Sequence, residues 1–174
     1  MDVELDDDYE ACLDLTRELL TRGDDADELG RANLACNRAI ALRPDEPDGW
    51  LLKCQLMSAM ADDVAALAAA EMAVRRAPRR AEVHYWRAAV LGDLGHYEDG
   101  LRSLDRAFRS LGHEDAWLLE DLYYEKATML DAMGAREAAL ATYEAGLERC
   151  PGSAILRAGL EPLQRHRPSL KLVP

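Results

Sequence analysis

Metal and nucleophile chemistry can be tested first, from the spacing of the side chains that perform it. His84, His96, His113 and His166 share no short interval, and Cys12, Cys36, Cys54 and Cys150 form no CxxC pair and have no histidine at ligand spacing. A metal centre needs ligands that converge, so no metal is expected, and the cysteines read as small buried hydrophobes of a reducing compartment. His113-Glu114-Asp115 reads as the start of a helix, where carboxylates are favoured by the helix dipole. The chain has no glycine-rich phosphate loop, no nucleophile elbow and no Ser/His/Asp set in a recognisable context. Neither a cofactor nor enzymatic activity is expected. Arg75, Arg76, Arg79 and Arg80 cluster around Pro78, with Arg87 nearby. Without interleaved aromatics this stretch reads as a turn of solvated arginines, and the acidic N-terminus of a second molecule is an alternative counter-charge. What remains is the chemistry of non-covalent recognition, which depends on the elements that present it.

Those elements are helices. The 174 residues include 29 Ala and 28 Leu but only 12 Val, Ile and Thr together. Ala and Leu favour helix, and the β-branched residues that strands prefer are scarce, so sandwiches, barrels and doubly wound sheets are excluded. An all-α fold in one domain follows. The net charge of −12 is uneven: residues 1–30 hold 12 carboxylates and two arginines, net −10, leaving −2 for the rest. No dominant basic field exists, which argues against nucleic acid and anionic membrane as main partners. No apolar run is long enough to span a bilayer and the first ten residues are acidic, so a cytoplasmic location is expected.

Self-similarity organises the helices. Small residues recur at Ala32, Ala66, Gly100 and Ala139, and again at Ala39, Ala73, Ala107 and Gly146, each series at intervals of 34, 34 and 39. Pro44 and Pro78 are also 34 apart, and Pro151 takes the corresponding place in the last unit. Cys54, Ala88 and Ala127 form a third series, followed by Met57, Leu91 and Leu130, with Ala61, Gly95 and Gly134 closing each first helix. Two insertions, of four residues at Asp24–Asp27 and of five in the third unit, explain every departure from 34. Such a period describes a helical hairpin that cannot bury its apolar face alone and must stack on its neighbours. The predicted helices span 8–22, 27–42, 47–60, 63–77, 80–94, 97–110, 114–133, 136–149 and 154–166. Ser153 should cap the last one, and Pro162 should break it after Leu160. Asp6–Asp8 reads as cap and first-turn charge of the first helix, with a free acidic arm over Asp2–Glu10 as the alternative.

The pattern resembles the tetratricopeptide repeat. Its third unit carries the resemblance best, with Ala88, Leu94-Gly95, Tyr97, Gly100, Leu104 and Ala107. Trp50 takes the family's aromatic site in the second unit, while the fourth has Arg136 where the third has Tyr97. The resemblance implies a right-handed α-α superhelical solenoid of about four hairpins (roughly 9–46, 47–80, 81–114 and 115–153). A capping helix over 154–167 and a loose tail over 168–174 would complete the domain.

It also implies a concave groove lined by the first helix of each hairpin. In register, that groove would take Leu13, Asp14, Arg17 and Thr21 from the first unit, and Asp48, Leu51, Leu52, Gln55 and Ala59 from the second. The third would supply Glu82, Tyr85, Trp86, Ala89 and Asp93, and the fourth Asp121, Tyr124, Glu125, Thr128 and Asp131. Tyr85, Trp86 and Tyr124 would act as rigid aromatic anchors, unless they serve only as packing between hairpins, and the carboxylates would steer a ligand. In the chaperone-tail-binding branch, Lys, Arg and Asn clamp a terminal carboxylate. Here Leu51, Gln55, Glu82 and Trp86 stand in those places, so an acidic tail is not expected. The resemblance thus implies a protein-protein interaction module (adaptor, scaffold or chaperone) for an apolar or basic peptide or partner surface. Alternatives are a homo-oligomerisation module such as a homodimer, a small secretion-type chaperone of the same repeat class, and, disfavoured by charge, an RNA-binding helical repeat.

Overall fold

The computed structural model describes residues 8–22 and 25–165, and these form helices without any strand. In chain order the helices are α1 (Tyr9–Arg22), α2 (Ala26–Leu42), α3 (Pro47–Ala59), α4 (Asp63–Arg76) and α5 (Ala81–Asp93). They continue as α6 (Tyr97–Ser110), a 3-10 helix (His113–Leu118), α7 (Leu119–Ala132), α8 (Arg136–Arg149) and α9 (Ala154–Arg165). Consecutive pairs form four antiparallel hairpins, α1–α2, α3–α4, α5–α6 and α7–α8, and α9 packs on both helices of the last. The fold is an all-α helical-repeat solenoid. Among the described residues no helix is long and apolar enough to cross a membrane.

Local signals set the boundaries. Asp8 accepts a hydrogen bond from the Glu10 N–H at 2.8 Å, and Asp62 and Ser153 accept from Ala65 and Leu156 at 3.0 and 3.1 Å, so α1, α4 and α9 each begin on a side-chain cap. Asp25, inside the four-residue insertion, likewise caps α2 by accepting from the Asp27 N–H. The first helices of the second, third and fourth hairpins end in one shared motif. Asp62, His96 and Ala135 donate their N–H groups to Met57, Leu91 and Leu130, and Ala61, Gly95 and Gly134 donate to Ser58, Gly92 and Asp131. The cap residue is left-handed each time, with φ of 56°, 75° and 77° for Ala61, Gly95 and Gly134.

Both small-residue series are buried at the hairpin seams. Ala32, Ala66, Ala139, Ala39, Ala73 and Ala107 have no exposed surface, and Cys54, Ala88 and Ala127 from the first helices are sealed with them. Glycine replaces alanine where the approach is closest. A Cβ on Gly100 would lie 2.8 Å from Met129 Sδ, and one on Gly146 would lie 2.9 Å from both Tyr123 Cβ and Leu156 Cδ1. A side chain at Gly146 would force α8 off Tyr123 of α7, at a typical cost of about 1–3 kcal/mol, whereas one at Gly100 would first displace the flexible Met129 side chain. Burial pushes the Cys36 and Cys54 thiols up to about 12, which suits inert core residues.

Two predicted boundaries need correction. The helix expected from residue 114 begins as α7 at Leu119, because the five-residue insertion is wound into the 3-10 helix. Asp115 accepts there from the Gly112 N–H at 2.8 Å, and Leu118 is fully buried. Nor does Pro162 break the last helix, which continues to Arg165. Leu156, Leu160 and Leu163 form an i, i+4, i+7 stripe buried against Tyr143 and Leu140, and this packing outweighs the proline penalty of roughly 3 kcal/mol. Arg136 donates to the Leu163 carbonyl, so the residue that departs from the repeat pattern holds the terminal helix instead. The loose tail expected over 168–174 and most of the acidic segment lie outside the described residues.

Two measurements check this account. Ala61→Gly should relieve left-handed strain and raise unfolding free energy by about 0.5–1 kcal/mol in a urea titration, while Gly95→Ala should lower it by a similar amount. Ellman's reagent should react quickly with Cys150, which is partly exposed, and with Cys12, Cys36 and Cys54 only after unfolding.

Candidate protein-binding face

Each first helix packs along the first helix of the next hairpin, in the order α1, α3, α5, α7, whereas the second helices, as far as they are described, do not touch one another. Stacked hairpins whose first helices meet while their second helices splay apart curve with the first helices inside. That face is where the sequence register puts its candidate residues. The structure divides them into three groups.

Some are core. Leu51 is 3% exposed and packs with Ala73 and Val83 between the second and third hairpins, and Leu13 and Leu52 are buried as well. Leu51 is therefore a packing residue rather than a lining one. Gln55, one turn further along α3, is partly exposed.

A second group is neutralised internally. Arg80, at the start of α5, donates to Asp48 at 2.6 Å and to Glu82 at 2.5 Å. Asp48 and Glu82 occupy the same repeat position 34 residues apart, so one arginine ties the acids of neighbouring hairpins together. Opposing charges hold the Arg80 guanidinium above its ordinary range even though burial alone would lower it. This pairing splits the arginine cluster expected to be solvated. Arg76 reaches Asp45 and the Pro44 carbonyl, and Arg87 reaches Glu71 and Ser103. The missed signal was the repeat itself, since an arginine two residues before Glu82 faces the equivalent acid of the preceding unit.

The third group stays open. Tyr85 and Trp86 meet edge to face with ring centroids 5.3 Å apart, and Tyr124 meets Tyr143 in the same manner at 6.3 Å. None of the three anchors is fully buried. Asp121 and Glu125 lie close to Tyr85, and Asp93, at the end of α5, lies close to Glu125; none of the three has a hydrogen bond or ion pair to any described residue. Desolvation, then Asp93 and Asp121, push the Glu125 carboxyl above its usual range; Asp93 and Asp121 are raised mainly by desolvation too, with lesser contributions from Asp63 and Glu120. The Tyr85 phenol is raised chiefly by burial, then by Asp121 and Glu125. Asp121 is the repeat equivalent of Glu82, but Leu119 stands where Arg80 would be, so nothing neutralises it. Thr128 and Asp131 extend the open face toward the end of α7, with Thr128 Oγ1 3.1 Å from the Tyr143 hydroxyl. Trp117, carried by the insertion and 58% exposed, was missing from the register because the repeat has no place for it.

The arrangement offers half-buried aromatic surface beside uncompensated negative charge, and it offers no convergent ligand set: among the described residues no three His, Cys, Asp or Glu side chains could hold a metal ion. No protein-family model matches the chain, and no curated protein matches it in sequence. Solved structures do. A thermophilic tetratricopeptide-repeat protein of Thermus thermophilus superposes with a TM-score of 0.76 at 23% identity, over 91% of this chain and 82% of that one. PilF of Pseudomonas aeruginosa gives 0.80 at 16% identity, over 90% and 68%. YrrB, a repeat protein with an unusual peptide-binding site, gives 0.67 at 19% identity, over 91% and 77%. With its hairpins, their seams and these superpositions in agreement, the chain has the tetratricopeptide-repeat fold.

Proposed function

We propose that this protein is a non-catalytic binding module that holds an apolar or basic segment of another protein on the face formed by α3, α5 and α7. The observation that carries this reading is the pair of unpaired carboxylates Asp121 and Glu125 beside Tyr85 of the edge-to-face pair Tyr85–Trp86, with Asp93 adding its charge next to Glu125. Aromatic side chains supply contact area at low entropic cost, and a cation stacked on them gains further from the ring quadrupole. Carboxylates that repel one another are relieved when a lysine or arginine arrives. Arg80 illustrates the same chemistry inside the molecule, where one guanidinium satisfies two acids. The solved structures add support by fold: YrrB has a peptide-binding site, and a repeat domain of yeast Sti1 was solved in complex with pHsp70.

Binding can be measured by fluorescence anisotropy against labelled peptides that alternate apolar and basic residues. Tyr85→Ala/Trp86→Ala/Tyr124→Ala should weaken binding at least about 30-fold, since buried anchors dominate such interfaces. Because Trp86 also touches the core, Asp121→Asn/Glu125→Gln provides a second variant that leaves the aromatics in place. It should weaken basic peptides about tenfold and uncharged apolar peptides hardly at all. Wild-type affinity in both variants would reject the face.

The raised carboxyls give a stability prediction of opposite sign. A carboxyl whose folded-state pKa lies above its unfolded value binds its proton more tightly when folded. Its contribution to stability is therefore present at low pH and lost as pH rises through the raised value. Glu125→Gln should then stabilise the protein at pH 7, on the order of 0.5 kcal/mol, with the gain shrinking toward pH 4. Paired thermal melts at the two pH values check this directly.

A further inference from the structure

A second surface lies away from the face just described, at the edge where α4 turns into α5 beside the end of α6. A cavity of about 330 Å³ opens there, walled by Val74 and Pro78, by the imidazole of His84, and by Arg106, Arg109 and Ser110. His84 is 3% exposed, and its Nε2 lies 2.9 Å from the Pro78 carbonyl. A carbonyl only accepts, so Nε2 carries the hydrogen, and Nδ1 is left as a buried acceptor with no partner. Buried acceptors are normally satisfied, and this one belongs to a side chain that lines the cavity.

The charge around the cavity is equally unsatisfied. Arg109 donates only to the backbone carbonyl of Asp105, and Arg75 reaches only Met72 sulfur. No described carboxylate pairs with Arg75, Arg79, Arg106 or Arg109, in contrast to Arg76, Arg80 and Arg87 in the same region. Their positions near the ends of α4 and α6 suit the helix dipole, but a dipole does not neutralise four guanidinium groups. A ligand for this surface needs carboxylates for the arginines and an apolar side chain for the Val74–Pro78 wall. An acidic peptide with apolar side chains has both, whereas a simple inorganic anion lacks the apolar part.

We propose that the cavity and its arginines dock the acidic N-terminal segment of a second copy of this chain, residues 2–7. That segment reads DVELDD, with four carboxylates and two apolar side chains in six residues. Asp8, next in line, is committed to capping α1. The charge distribution favours this occupant: residues 1–30 carry −10 and the remaining 144 carry −2, so each molecule brings one strongly acidic element and one uncompensated basic surface. Two molecules that exchange these segments satisfy both copies at once and close the assembly as a dimer.

Charge exchange tests the proposal on the full chain. Sedimentation velocity across a wide concentration range should show a monomer–dimer equilibrium that weakens as salt rises. Arg106→Glu/Arg109→Glu and Asp6→Lys/Asp7→Lys should each raise the dimer dissociation constant at least about tenfold. An equimolar mixture of the two variants should restore association, because each then offers the other a complementary segment and surface. Circular dichroism confirms that each variant is folded. A monomer at every concentration, including one that holds its own segment, would overturn the proposal. So would a dimer indifferent to either reversal, or a mixture that stays monomeric.

Discussion

The close approach of helix backbones at the hairpin seams is the constraint on which everything else rests. Ala32, Ala66, Ala139, Ala39, Ala73 and Ala107 are sealed completely, and Gly100 and Gly146 stand where even a Cβ would collide. Interiors are packed densely enough that an added methylene must displace something. The seams therefore fix the spacing within each hairpin, and that spacing determines which side chains of the first helices meet. The left-handed caps at Ala61, Gly95 and Gly134 set the turn from first to second helix in the same way three times over. The geometry of the face formed by α3, α5 and α7 is set by residues buried beneath it.

Repetition also governs the electrostatics, through its exceptions. Asp48, Glu82 and Asp121 are one repeat position seen three times. Arg80 joins the first two across neighbouring hairpins, and Leu119 leaves the third alone. The five-residue insertion just upstream adds an exposed tryptophan, Trp117, to the same end of α7. Strict periodicity would neutralise this surface or charge it uniformly. Its breakdown between the third and fourth hairpins concentrates free carboxylates and aromatic rings around Tyr85.

The fold was legible because its signals are local or periodic. Small residues at intervals of 34 announce close contact, and a small residue, twice glycine, closing each first helix announces a left-handed cap. Boundaries failed where tertiary packing outvoted local chemistry, as when the stripe Leu156, Leu160 and Leu163 holds α9 together through Pro162. Individual site residues were harder to read, because register gives the face of a helix but not the depth of a side chain. Leu51 and Gln55 sit one turn apart on α3, yet the first is core and the second is open. The Arg80 clamp escaped for a related reason: a run of arginines shows its total charge in sequence and its separate partners only in space.

Partial burial of unpaired acids identifies the part of this molecule that stability does not explain. Arg80 demonstrates that the architecture can satisfy neighbouring carboxylates with one well-placed guanidinium. Asp93, Asp121 and Glu125 have no such partner, and desolvation together with mutual repulsion raises the Glu125 carboxyl. Each charge therefore opposes folding slightly at neutral pH, in a chain whose seams are packed without slack. Marginally stable proteins tolerate such local conflict mainly where a ligand resolves it. A cationic side chain seated between the carboxylates and the rings would remove the repulsion and cover the exposed aromatic edges in one step. The energetic defect and the proposed recognition chemistry are then the same feature, seen without and with the partner.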